Sequence, residues 1–175
     1  MKYKEDIKKI ARDLRSAQRA FLSEQGMPEG YVVLSVVIPA YNEAHIIANT
    51  VERIELYLRG KYPYEIIVVD DGSTDHTLDI LNELKKFYPS VQVIHNSANR
   101  GKGSAMKKGV LEARGEYILC TDADLVYSMD DAENFRQAVQ QGCDAAIGSR
   151  VHPGSLYSMH PRFFPYIFQR HLIGR

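Results

Sequence analysis

The sequence alternates between short apolar runs and longer stretches whose apolar residues recur every three or four positions. Val32–Ile38 is almost continuously apolar, the pattern of a strand covered on both faces. Comparable runs at Glu65–Asp70, Val91–His95, Tyr117–Thr121 and Asp144–Ser149 predict four more strands. Between them, Ala44–Arg59, Thr77–Tyr88, Gly103–Ala113 and Asp131–Gln141 carry helical spacing. Strand and helix in alternation, with short connections, predict right-handed crossovers and an α/β fold with a mostly parallel, Rossmann-like sheet flanked by helices. Ahead of this core, residues 3–25 predict an amphipathic helix with Ile7, Ile10, Leu14, Ala17 and Phe21 on one face, stopped by Gly26, Pro28 and Gly30. That face suits packing on the domain or on a partner helix, with membrane contact as the alternative. The chain thus divides into an amphipathic helix and hinge at 1–30, a core at 31–150 and a tail at 151–175.

In parallel α/β sheets, ligands bind beyond the carboxyl ends of the strands, so the residues that follow each strand matter most. These are Pro39-Ala40-Tyr41-Asn42-Glu43, Asp70-Asp71-Gly72-Ser73-Thr74-Asp75, Asn99-Arg100-Gly101-Lys102-Gly103, Asp122-Ala123-Asp124 and Gly148-Ser149-Arg150. Asn42, Ser73 and Thr74 equally suit helix caps. Gly101 and Gly103 suit a tight turn, and Lys102 between them suits a nearby anion. Asp122 and Asp124, two apart in an extended segment, would point to one side and repel unless water or a cation intervenes. Hard oxygen ligands at a strand end suit Mg²⁺ or Mn²⁺ bridged to substrate phosphates. Spacing alone serves a solvated acidic loop as well; Asp70 and Asp71, expected on the same edge, favour the metal.

Charge sharpens the picture. The chain has 175 residues, 45% of them hydrophobic, with 22 basic and 22 acidic residues, enough for one domain with a true core. The balance is uneven: residues 31–149 hold 11 Lys/Arg against 17 Asp/Glu, whereas 150–175 hold four Arg and no acid. An acidic middle suits a cation and a basic tail an anionic partner. No basic stripe crosses the core, which disfavours nucleic acid. Cys120 and Cys143 lie in apolar surroundings and read as buried free thiols. No signal peptide or membrane-length apolar run occurs, which predicts a cytoplasmic protein, with peripheral contact at a membrane surface open. Dinucleotide, P-loop and nucleophile-elbow motifs are absent.

The segments VVIPAYNEA (within 32–44), YEIIVVDDGSTDHT (64–77), NRGKGSAMKKG (99–109), GEYILCTDADL (115–125) and AAIGSR (145–150) resemble the inverting GT-A glycosyltransferases of family 2. The order and spacing match over residues 32–150. The Asn-Arg-Gly-Lys-Gly and Asp-Ala-Asp-Leu wording is most similar to the polyprenyl (dolichyl) phosphate hexose synthases. The resemblance implies that Pro39, Ala40, Tyr41 and Glu43 border the base and ribose of a nucleotide sugar, and that Asp71, with Asp70 beside it, reads the base edge. It implies that Lys102 and Ala123 lie near the nucleotide. Asp122 and Asp124 would be the metal motif, with Asp124 the direct ligand, and Arg150 would lie near the phosphates and acceptor.

The activity so implied is metal-dependent, inverting transfer of mannose or glucose from GDP-mannose or UDP-glucose to polyprenyl phosphate. A phosphate acceptor is already anionic and needs positioning more than a base. Basic and aromatic residues mixed through 151–175, among them Arg162, Phe163, Phe164 and Arg170, suit an anionic lipid interface or a packing helix equally. Two departures from the family pattern stand out. Val126-Tyr127-Ser128-Met129 follows Asp-Ala-Asp-Leu where relatives place Gln or Ser-Thr-Pro, and relatives continue beyond Arg175 with a further strand and an acidic segment. A nucleotide-sugar-binding module that needs a partner, a transferase with a saccharide acceptor, and a nucleotidyltransferase are the alternatives.

Overall fold

β-branched and aliphatic residues dominate each strand, and β1 (Leu34–Ala40), β2 (Tyr64–Asp70), β3 (Val91–His95) and β4 (Tyr117–Cys120) form as the apolar runs predict. The helices are α1 (Ile47–Leu58), α2 (Thr77–Phe87), α3 (Lys102–Glu112) and α4 (Asp130–Gln140). This computed structural model describes residues 26–28, 30–125 and 129–148, together with positions 13, 16, 20, 23 and 24. Contacts divide the chain into two units, Met1–Gln137 and Ala138–Arg175.

All strand pairs are parallel, in the order β3-β2-β1-β4. β1 is central, paired with β2 from Leu34 to Ala40 and with β4 from Leu34 to Val37. Pro39 lies past the last β4 partner, so its missing N–H costs no ladder bond on that side. One face carries the larger core, in which Val36, Ile38, Ile66 and Val68 meet Ile47, Val51, Ile54 and Leu81 of α1 and α2. The opposite face carries Val37, Ile67 and Val69 against Ala105 of α3. There Gly109 lets α3 approach closely: a Cβ at this position would lie 2.4 Å from Val37 Cγ1 and 3.1 Å from Val69 Cγ2.

Buried charge anchors the amino-terminal end of the sheet. Glu65, 2% exposed, accepts from Ser35 Oγ (2.7 Å), the Arg114 backbone (2.8 Å), Arg114 Nη2 (2.7 Å) and Gln92 Nε2 (2.7 Å). A buried carboxylate is tolerable only when so fully paired. This cluster fixes the connection from α3 into β4.

Two expectations are corrected, and a third falls mostly outside the described residues. The stretch predicted as a fifth strand, Asp144–Ser149, is neither strand nor helix over its described residues 144–148, and Ile147 is 88% exposed. A run of only Ala145, Ala146 and Ile147 offers little apolar surface, and a strand needs a neighbour for its backbone groups. Cys120 and Cys143 are free but exposed, not buried. Cys120 shares with Ile118 the face of β4 on which α3 packs over β1 and β2, and Cys143 follows the turn at Gly142. The apolar positions of the 3–25 helix lie outside the described residues; Asp13, Ser16, Ala20, Ser23 and Glu24 are helical and exposed. Gly26, at φ +65°, has the left-handed backbone that ends such a helix.

The loops after β1 and β2 brace each other. Asn42, held at φ +56°, accepts from the Thr74 backbone at 2.8 Å and the Asp75 backbone at 3.3 Å, while its own N–H donates to Ser73 Oγ at 2.9 Å. Glu43 N donates to Thr77 Oγ1 (2.8 Å) and Ala44 N to Asp75 Oδ2 (3.1 Å). The caps suggested by the sequence therefore act across loops: α1 and α2 begin after Ile46 and His76, neither of which makes a side-chain cap. Gly72 lets this bracket sit against the next loop, because a Cβ there would fall 2.6 Å from the Ala98 carbonyl carbon.

The Thr77 hydroxyl, helped by the Thr77 and Ala44 N–H groups, holds the Asp75 carboxyl below its usual range. A lowered folded pKa means that the charged form is favoured by folding. Its contribution is present above the ordinary carboxylate range and is lost as pH falls through the lowered value. Asp75→Asn is expected to lower the urea midpoint at pH 7, with the gap to the parent chain closing below about pH 4; a gap independent of pH contradicts this. Gly109→Ala is expected to lower stability by about 1–2 kcal/mol in urea unfolding, overpacking outweighing the helix-propensity gain.

Candidate functional site

Because β1 leads to β2 and β3 on one side and β4 returns to its other side, the loops leaving β1 and β4 separate at a topological switch point, where such sheets bind ligands. An open cavity of about 340 Å³ lies there, lined by Pro39, Ala40, Tyr41, Glu43, Asp71, Asn99, Gly101, Lys102, Ala105, Asp122, Ala123 and Asp124. Every described site residue expected from the sequence lines it except Asp70.

Asp70 and Asp71 part ways because successive strand residues face opposite sides. Asp70 is fully buried on the α1–α2 face, in register with Ala40 and His95, with Oδ2 at 2.7 Å from His95 Nδ1. Its Oδ1 has no hydrogen-bond partner among the described residues. Asp71 leaves the strand end on the cavity side. Its carboxylate accepts from Asn96 Nδ2 (2.7 Å) and the Arg100 backbone (3.0 Å), and Asn96 in turn accepts from Lys108 Nζ at 2.7 Å. Each Asp71 oxygen accepts one of these bonds, which fixes the carboxylate at the cavity wall.

Asp122 and Asp124 sit on a turn at the cavity, not on the extended segment that the spacing suggests. β4 ends at Cys120, and Leu125 N donates to Asp122 O at 3.1 Å, with Leu125 at φ +45°. The hydroxyl of buried Thr50 in α1 donates to the Ala123 carbonyl between the two aspartates, which ties the turn to the core. Lys102, the first residue of α3, places Nζ 2.6 Å from Asp122 Oδ1. No group of three or more His, Cys, Asp or Glu able to hold a metal occurs among the described residues, so the turn itself supplies two carboxylates. Arg150 lies outside the described residues.

Thr50, Asn96 and Ala105 join the site without a motif to announce them. Asn96 follows a strand end directly, which is a usable signal. Thr50 and Ala105 sit inside helices, and only the fold shows what they touch.

The family model for Glycosyl transferase family 2 matches residues 35–163. Dolichol-phosphate mannosyltransferase of Pyrococcus furiosus is 37% identical over 142 residues, covering 81% of this chain and 38% of its own length. Dolichyl-phosphate beta-glucosyltransferase of Saccharomyces cerevisiae is 37% identical over 171 residues, covering 86% of this chain and 51% of its own. The chain therefore spans about two fifths to one half of these curated relatives. Among solved structures, the mannosyltransferase PcManGT from Pyrobaculum calidifontis, in complex with GDP-Man and Mn²⁺, is similar at 26% identity and a TM-score of 0.47, covering 67% of this chain and 39% of that one. With the family match spanning most of its length and the strand-end residues gathered around one cavity, the chain belongs to glycosyl transferase family 2.

Proposed function

We propose that the cavity binds a nucleotide sugar and that the protein transfers its hexose, with inversion, to polyprenyl or dolichyl phosphate. The observation that carries this reading is the convergence of three strand ends, Pro39–Tyr41 with Glu43, Asp71, and Asp122–Asp124, on one cavity. Its volume falls in the range of small-ligand sites. The two 37% relatives, both dolichyl-phosphate hexosyltransferases by name, support the acceptor class.

Asp71, fixed by Asn96 and Arg100, suits donor N–H groups of a base edge. Tyr41, 43% exposed at the cavity, suits a flat base or ribose. Asp122 and Asp124 are hard oxygen donors at a strand end, and an ammonium already sits on Asp122, so the position tolerates positive charge. Two carboxylates completed by phosphate oxygens and water are a common Mg²⁺ or Mn²⁺ site. Such an ion would neutralise charge on the leaving nucleoside diphosphate. The chain's own residues would hold and orient the donor, and a phosphate acceptor, anionic near neutral pH, needs orientation more than deprotonation. Arg150 and the basic, aromatic tail belong to the same proposal on the acceptor and membrane side. No described helix is long and apolar enough to cross a membrane.

Turnover with UDP-glucose or GDP-mannose, Mn²⁺ and a short polyprenyl phosphate tests the reading. Glycosylated lipid phosphate supports it; donor binding without product makes the chain a donor-binding module; pyrophosphate from a sugar phosphate and a nucleoside triphosphate would make it a nucleotidyltransferase. Asp124→Asn is expected to weaken Mn²⁺-dependent nucleotide binding by about tenfold or more, measured by calorimetry, and unchanged affinity contradicts the assignment.

A further inference from the structure

Lys102 occupies an electrostatically adverse place. It is the first residue of α3, where unpaired N–H groups and the aligned peptide dipoles already present positive charge. Gly101 before it makes no side-chain cap, and the first turn of α3 holds no acidic residue. The compensating charge comes from another strand end: Lys102 Nζ lies 2.6 Å from Asp122 Oδ1. The lysine side chain is 63% exposed and the aspartate 42%, so the pair can open into the cavity without unpacking the core. Both residues line that cavity.

From this geometry we infer that Lys102 makes cation binding at the Asp122–Asp124 pair depend on the nucleotide diphosphate. The inference rests on the metal reading proposed above. A divalent cation approaching Asp122 meets a carboxylate that already carries an ammonium. It displaces that ammonium or shares the carboxylate with it, and either way two cations lie side by side next to the positive end of α3. A diphosphate entering the cavity reverses the balance, since its charge neutralises the cation and the released ammonium together. Cation and diphosphate then strengthen each other's binding by the same factor, as linkage requires. Without a nucleotide the cavity binds free cations more weakly than the two carboxylates alone would, and the nucleotide without a cation still meets the charge of Asp124. Lys102 is in this sense a positioning residue that couples two ligands, beyond being a basic group near one of them.

The test is Mn²⁺ binding to the full chain, followed by the loss of the free-ion electron paramagnetic resonance signal. It is run without nucleotide and at saturating UDP or GDP, for the parent chain, Lys102→Met and Lys102→Arg. Without nucleotide, Lys102→Met is expected to bind Mn²⁺ about fivefold more tightly than the parent, the upper end of what a half-exposed ion pair contributes. The enhancement by nucleotide should shrink accordingly, and Lys102→Arg, which keeps the charge, should behave as the parent does. Equal Mn²⁺ affinity of the parent and Lys102→Met without nucleotide, with only nucleotide binding weakened, overturns the coupling and leaves the metal site standing. Failure of the parent to bind Mn²⁺ even with UDP and GDP present overturns the metal reading itself, and the coupling with it.

Discussion

The two-sided pairing of β1 is the constraint from which the site follows. A strand hydrogen-bonded to β2 on one edge and β4 on the other sends the chain outward in two directions, and right-handed crossovers then place α1 and α2 on one face and α3 on the other. The carboxyl end of β1 is left between loops that diverge. Neither helix layer can fill that gap, so polar residues at the strand ends face a cavity at no cost to the two apolar layers. Val36 and Ile38 on one face and Val37 on the other, all fully buried, hold the strand in place from both sides.

Polar contacts divide between holding and binding. At the amino-terminal end, Glu65 spends its carboxylate on Ser35, Gln92 and Arg114, which leaves no room for a ligand. At the carboxyl end, Asn42, Ser73, Asp75 and Thr77 lock the first two loops to each other. That bracing lets Tyr41, Glu43 and Asp71 line the cavity from a rigid frame, and the Thr50 bond to Ala123 does the same for the acidic turn. Asp122 is the exception, because its partner Lys102 is a cavity residue itself. The two loops and the acidic turn are braced by the fold, whereas the Asp122 carboxylate is paired with a residue of the cavity itself.

The sequence made the alternating elements legible because a strand buried on both faces, such as Leu34–Ala40, leaves a short apolar run bounded by turn residues, while the helices leave three- and four-residue spacing. Strand-end residues were legible for the same reason: once the strands are placed, position alone marks Pro39–Glu43 and Asp122–Asp124. Three features were not legible. The divergence of Asp70 and Asp71 depends on which residue is last in the ladder, a matter of one position in register. The fifth apolar run, at Ala145–Ile147, satisfies a pattern rule but says nothing about a neighbouring strand. Thr50 and Ala105 act through packing between elements far apart in the chain, so no local signal marks them.

The central claim is that Asp122 and Asp124 seat a divalent cation on the diphosphate of a nucleotide held in the cavity at the β1–β4 switch point. Crystals grown with Mn²⁺ and UDP or GDP, with anomalous diffraction recorded at the manganese edge, test it most directly. The account predicts a single strong peak within coordination distance of an Asp124 oxygen and of the diphosphate, with the base beside Asp71. A nucleotide bound elsewhere, or a peak remote from both aspartates, would contradict it.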